Sequence, residues 1–159
     1  MPAREPITRA AYVEFHDVAT RWGDNDAYGH LNNVIYYACF DTVINRRLVN
    51  AGGLDPARGE VVAYVVRTQC EFVSPVGFPE PLSVGLRLGS LGRTSVRYEL
   101  AVFRKDRQHA SAVGEFVHVY VQRATGRPVA IPPEHRACLE SLRVITPAAP
   151  RIEAGAAKG

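Results

Sequence analysis

The rhythm of hydrophobic and polar positions changes several times along the chain, and each change predicts an element. Residues 12–18 alternate loosely, with Val13 and Phe15 set against Glu14 and His16, which predicts a strand. Residues 23–30 are rich in Gly and Asp and read as a loop. From Asn33 the apolar positions fall at three- and four-residue steps, through Tyr36, Tyr37, Phe40, Ile44, Leu48 and Ala51, and stop at Gly52-Gly53. That spacing predicts a helix with glycine just past its end. Its first two turns, 34–40, hold almost no charge, so this helix is expected to be buried on every side. Four more strands follow. Residues 61–72 are Val-rich, 83–88 put Val84, Leu86 and Leu88 on one face, 95–102 put Val96, Tyr98, Leu100 and Val102 on one face, and 113–122 are aromatic and β-branched. Short connections at 91–93 and 105–108 suit hairpins, so the sheet is expected to be antiparallel and the domain α+β.

A chain of 159 residues has room for one core. The first ten residues and the last fourteen carry little apolar pattern, which divides the chain into a flexible tail at 1–10, a folded domain at 11–145 and a disordered tail at 146–159. Lys+Arg 19 against Asp+Glu 16 leaves a dispersed +3, too mild for a nucleic-acid binder. Cys39, Cys70 and Cys138 are odd in number and widely spaced, so neither a disulfide framework nor a zinc knuckle is expected. No stretch has the length of a membrane span and the N-terminus lacks a signal-peptide core, which points to a soluble, cytoplasmic protein without membrane association.

Reactive side chains concentrate in one place. Residues 21–33 put Asp24, Asp26, His30, Asn32 and Asn33 just ahead of the buried helix. A helix start offers unpaired N–H groups and a positive dipole end, which can hold charge developing on a carbonyl oxygen. A carboxylate one short loop away could attack that carbonyl or activate water. Plainer readings compete. The stretch from Asp24 to Gly29 opens like a calcium loop, but Tyr28 and Ile35 stand where ligands are required. Asp26 and His30 lack a third metal ligand nearby, and Asn32 or Asn33 could simply cap the helix. His16, His109, His118 and His135 are scattered and read as structural, and Cys39 reads as packing.

The pattern D-x-D-x-x-G-H-x-N-N-x-x-Y, carried by Asp24, Asp26, Gly29, His30, Asn32, Asn33 and Tyr36, resembles the signature of the 4-hydroxybenzoyl-CoA thioesterase family of hotdog-fold acyl-CoA thioesterases. The order of strand, loop, helix and four strands is similar to that fold over residues 11–125. The resemblance implies an antiparallel sheet of about five strands around one long helix, with Asp26 as catalytic carboxylate and the Asn33 N–H polarising the thioester carbonyl. It further implies that Arg93, with Thr94 and Ser95, meets the coenzyme A phosphates, and that Asp41 falls where a helix carboxylate of the partner subunit faces the acyl group. Tyr28, Asn32 and Tyr36 are counted with the substrate-binding residues and His30 with the catalytic ones. The substrate is then an acyl-CoA, coenzyme A being part of it, with no separate cofactor and no metal. The working unit is a homodimer or homotetramer in which the helix start of one subunit faces the Asp26 loop of the other. His30 and the Asn pair replace an apolar and aromatic stretch of the enzyme that names the family, which leaves the acyl group undefined.

The chemistry is self-consistent. A thioester expels a thiolate whose parent thiol has a pKa of ~8.5, so one carboxylate and an oxyanion site can suffice. Asp26 can serve as general base or as nucleophile. Two rivals remain at this level: a hotdog-fold hydratase or dehydratase acting on acyl-CoA, whose motif normally places the His after Asn-Pro where this chain has 27–29 Ala-Tyr-Gly, and a non-catalytic acyl-CoA-binding module, which would not need an intact Asp26.

Overall fold

The computed structural model describes residues 6–145. Five strands, β1 (Glu14–Val18), β2 (Val61–Phe72), β3 (Leu82–Leu91), β4 (Ser95–Arg104) and β5 (Ala112–Gln122), form one antiparallel sheet in the order β1-β3-β4-β5-β2. Helix α1 (Asn33–Ala51) lies against its inner face, and a short helix α2 (Pro133–Glu140) closes the end of the core opposite the start of α1. This is the hotdog arrangement. No helix among the described residues is long and apolar enough to cross a membrane.

Alternation decides the faces. Val84, Leu86 and Leu88 of β3, Val96, Tyr98, Leu100 and Val102 of β4, and Phe116 and Tyr120 of β5 share the core with Phe40, Val43, Ile44 and Leu48 of α1. The side chains between them face outward, where Ala101 and Phe103 pack with Tyr12 in a second, smaller cluster. Gly114 marks the close approach of helix to sheet, since a Cβ there would collide with the Phe40 ring. Asn32 caps α1 by accepting the Val34 N–H on Oδ1 at 3.1 Å, and Gly53, at φ 75°, takes the left-handed conformation after its last turn.

Three expectations change. Helix α1 is covered on one side only: Tyr36, Cys39, Phe40, Val43, Ile44 and Leu48 are buried, while Val34 is 58 % exposed and Asp41 and Thr42 face outward, because five strands curl past one face of a helix and no further. Of the 1–10 segment, residues 1–5 lie outside the described residues, but Thr8 bridges His109 and the Arg9 side chain donates to the Arg104, Lys105 and Arg107 carbonyls, so residues 7–10 are tied to the β4–β5 connection. The 146–159 segment lies outside the described residues. Helix α2 was not expected from the pattern. It has eight residues, starts at Pro133, and shows only Cys138 and Leu139 as buried apolar positions, too few for a visible period.

Candidate functional site

The two carboxylates of the loop have separate fates. Asp24 is buried at the end of a 3-10 turn, and its Oδ1 accepts Nε and Nη2 of Arg21 at 3.0 and 2.7 Å while Oδ2 accepts the Arg21 N–H at 2.8 Å. That guanidinium holds the Asp24 carboxyl below its ordinary value against the opposing effect of burial. Asp24 is therefore spent on fixing the loop, and its carbonyl also accepts the Asn32 N–H at 2.8 Å. Asp26 stays half-buried at the loop's apex. Its Oδ1 accepts the backbone N–H groups of Tyr28 at 2.8 Å and His30 at 3.3 Å, and its own N–H donates to the His30 carbonyl at 2.8 Å. The turn closes through Gly29, at φ 79°, where a side chain would be strained. Asp26 and His30 are thus joined by the His30 backbone and not by the imidazole.

Directly after the loop comes the start of α1. Asn32 satisfies the Val34 N–H with its side chain and the Ile35 N–H with its carbonyl, whereas the Asn33 N–H has no partner among the described residues. Asp26, His30 and Asn33 line one open cleft of about 450 Å³, walled on its other side by Tyr36, Phe72 and Ser74. A carboxylate with a free oxygen and an unpaired N–H at the positive end of a 19-residue helix therefore face the same space. Tyr36 is buried and stacks edge-on against Phe72 at 5.0 Å between ring centroids; burial pushes its phenol upward, so it stays protonated near neutral pH. The cleft wall is mixed: polar at the loop, apolar where Leu31, Val73 and Pro75 close it.

The other sequence-predicted residues lie elsewhere. Tyr28 is 85 % exposed and does not line the cleft. Asn32 works as the helix cap. Asp41 sits two turns along α1 on its outer side, where Asn45 Nδ2 donates to its carbonyl at 2.9 Å and to Oδ1 at 3.1 Å. Arg93 is exposed in the β3–β4 turn, whose backbone is held by Gly92 N–H to Ser95 carbonyl at 2.8 Å and Tyr120 N–H to Thr94 carbonyl at 2.8 Å. Strand β3 runs away from the cleft toward that turn, and nine strand steps from Leu82 to Leu91 at ~3.3 Å each amount to about 30 Å. Arg93, Thr94 and Ser95 do not share a site with Asp26 of the same chain. Conversely, Asp26 and Asn33 of one chain line the same cleft, so these two groups are brought together without a second subunit.

Phe72, Ser74 and Pro75 were missed as cleft residues, since they lie some forty residues from the motif and only the docking of the β2 end beside the start of α1 brings them in. The aromatic Phe72 at the very end of a Val-rich strand was the available signal. Among the described residues no group of three or more His, Cys, Asp or Glu is placed to share a metal ion.

Residues 20–139 match the thioesterase-like superfamily, and the chain belongs to that family. A solved Pseudomonas aeruginosa protein is 49 % identical over 87 % of this chain and 96 % of its own, with a TM-score of 0.85. A Thermus thermophilus thioesterase solved with coenzyme A and zinc is 27 % identical over 80 % of this chain and 92 % of its own, with a TM-score of 0.67. The dynemicin thioesterase shares the fold at 17 % identity, over 83 % of this chain and 98 % of its own, with a TM-score of 0.77. No curated protein matches the chain.

Proposed function

We propose that the protein is an acyl-CoA thioesterase, of the kind the 4-hydroxybenzoyl-CoA thioesterase family exemplifies, that hydrolyses an acyl-CoA to the free acid and coenzyme A. The observation that carries this reading is the shared cleft of the Asp26 carboxylate and the unpaired Asn33 N–H. Coenzyme A bound to the Thermus thermophilus neighbour supports the choice of thiol. In the proposed reaction the thioester carbonyl oxygen accepts the Asn33 N–H and lies on the axis of α1, so charge forming on that oxygen meets a fixed dipole. Asp26, already oriented by two backbone donors, takes a proton from water as the water oxygen bonds to the carbonyl carbon. Collapse of the tetrahedral intermediate breaks the C–S bond and expels the thiolate. In the alternative route Asp26 itself bonds to the carbonyl carbon, the thiolate leaves, and water opens the resulting anhydride. Single-turnover hydrolysis in ¹⁸O-water identifies the second when the water opens the anhydride at the Asp26 carbonyl carbon, because the label then enters Asp26, whereas the first route places it only in the released acid. On this reading His30, exposed at the cleft rim, supplies a proton to the departing thiolate. The chemistry asks for no cofactor and no metal.

The site works within a larger assembly on this reading. β2 has a strand neighbour on one side only, and along it Tyr64, Val65, Val66 and Phe72 are 44–60 % exposed. A twelve-residue apolar edge of this kind is a template for a second copy, so a homodimer, or a homotetramer built from it, is the expected unit. Arg93, Thr94 and Ser95, far from Asp26 in their own chain, and Asp41, turned outward on α1, would then serve the substrate of a neighbouring subunit. Free Cys39, Cys70 and Cys138 support a reducing, cytoplasmic setting.

The test is thiol release from a panel of short, long and aromatic acyl-CoAs, with Asp26→Asn beside the wild type. Hydrolysis of at least one substrate, abolished in a folded Asp26→Asn, is the expected result. With an enoyl-CoA added to the panel, loss of its absorbance without thiol release would assign the hydratase reading instead, and tight acyl-CoA binding with neither reaction would assign a binding module.

A further inference from the structure

The segment between β2 and β3 walls the cleft with Ser74 and Pro75 and also braces the Asp26 loop from behind. The Leu31 N–H donates to the Val76 carbonyl at 2.7 Å, and the Phe78 N–H donates to Asn25 Oδ1 at 3.0 Å, so the loop is tied down on both sides of Asp26. Residues 73–81 are neither helix nor strand, and their shape has to be imposed from outside.

Glu80 and Arg104 impose it. Glu80 folds the segment back on itself, with its N–H donating to the Gly77 carbonyl at 2.9 Å and its Oε1 accepting the Gly77 N–H at 3.2 Å. Its carbonyl accepts Thr20 Oγ1 at 3.0 Å, which joins the segment to the end of β1. Its Oε2 lies 2.5 Å from Nε of Arg104, the last residue of β4, an ion pair whose N–H is not aligned as a hydrogen bond, and Arg104 Nη2 donates to the Pro75 carbonyl at 2.7 Å. One guanidinium on the rigid sheet therefore grips both ends of the bracing segment. The pair is about a third exposed on each side, where an ion pair adds little to global stability. Its two-point geometry instead fixes position.

We propose that Arg104, acting with Glu80, is a positioning residue that sets where the Asp26 carboxylate stands relative to the Asn33 N–H. It touches neither substrate nor reacting atoms; it acts through Pro75, Val76 and Phe78 on Leu31 and Asn25. The kinetic half of this inference rests on the thioesterase reading, while the structural half does not.

Two measurements on Arg104→Gln test it: hydrolysis of benzoyl-CoA and octanoyl-CoA followed by thiol release, and amide hydrogen exchange at Leu31 and Phe78. The kcat is expected to fall about 10- to 10²-fold with KM and melting temperature nearly unchanged, as for a reacting group displaced by about 1 Å. Arg104→Lys should recover part of that loss, and in an Asp26→Asn background Arg104→Gln should cost nothing further. Exchange at Leu31 and Phe78 should quicken about tenfold or more while the amides of β3 and β4 keep their protection. A wild-type kcat in Arg104→Gln, or unchanged exchange at both amides, overturns the proposal. If the wild-type chain releases no thiol from any acyl-CoA of the panel, the thioesterase reading fails separately and the exchange result alone decides the brace. Should Arg104→Gln fail to fold, Glu80→Gln, which keeps the side-chain shape and removes the charge facing Arg104, carries the same expectations.

Discussion

At the end of the sheet where β2 stops and α1 begins, Asp26, His30 and Asn33 line an open cleft, and the half-buried Asp26 carboxylate is held by two backbone N–H groups. At the other end His118, Tyr98 and Tyr120 are among the most deeply buried side chains of the protein, facing one another on the inner side of β4 and β5. The His118 and Tyr98 rings meet edge-on at 5.1 Å, and burial pulls the His118 pKa down to about 4 and pushes both tyrosine phenols upward. Both ends carry groups able to move protons. Burial keeps the inner set neutral near pH 7, whereas at the outer end two backbone N–H groups orient the half-buried Asp26 carboxylate. Under the proposed function reactivity follows orientation at a half-exposed edge, and the presence of titratable residues alone is no guide to it.

The largest expected effect sets the two ends against each other. Asp26→Asn should lower kcat by the ~10²–10⁴-fold that a positioned base supplies, while His118→Gln should leave kcat at pH 7.5 within about twofold. Thiol-release kinetics on both variants check this, and comparable losses would erase the contrast.

Next comes the acid limit. His118 is neutral when folded and ionises freely when unfolded, so between the unfolded value of 6.5 and the folded value of about 4 the unfolded chain binds more protons. The contribution is intact above pH 6.5 and is lost as the pH falls toward 4, by about 3 kcal/mol at ~1.36 kcal/mol per unit. Urea unfolding at pH 7 and pH 4 should show that slope in the wild type and a shallower one in His118→Phe.

A smaller effect concerns coenzyme A. Arg93→Ala should raise KM for acyl-CoA about tenfold with kcat little changed, since a remote charge-assisted contact acts on ground and transition states alike. If the contact is made across a subunit boundary, the effect should vanish in mixed oligomers whose active subunits face intact Arg93. The smallest effect is local: Asn32→Ala removes the cap on α1 and should destabilise the fold by ~1 kcal/mol, measured by the same unfolding experiment.

Much of this was legible in the order of residues. β2 begins at Val61 and ends at Phe72 where the Val-rich run does, and the inward faces of β3 and β4 are those their alternation assigns. The loop and helix cap were legible because Asp26, Gly29, Asn32 and Asn33 act within seven residues of each other. Ser74 and Pro75 in the cleft wall, and the grip of Arg104 on Glu80, were not, because each joins residues more than twenty positions apart through tertiary packing. The one-sided burial of α1 also escaped, since a charge-free turn reads alike whether its outer face awaits a strand, a second copy or solvent.

The strand order carries a consequence for synthesis. β3, β4 and β5 are neighbours in sequence and in space, but α1 precedes all of them, and β2 must wait for β5 before it has a partner. Leu48 of α1 is made about 70 residues before Tyr120 of β5, which at ~5–20 residues per second leaves the helix's apolar stripe without its sheet for roughly 4–14 s on the ribosome. Codon changes that slow translation between β2 and β5 should therefore lower the yield of folded protein more than the same changes placed after β5.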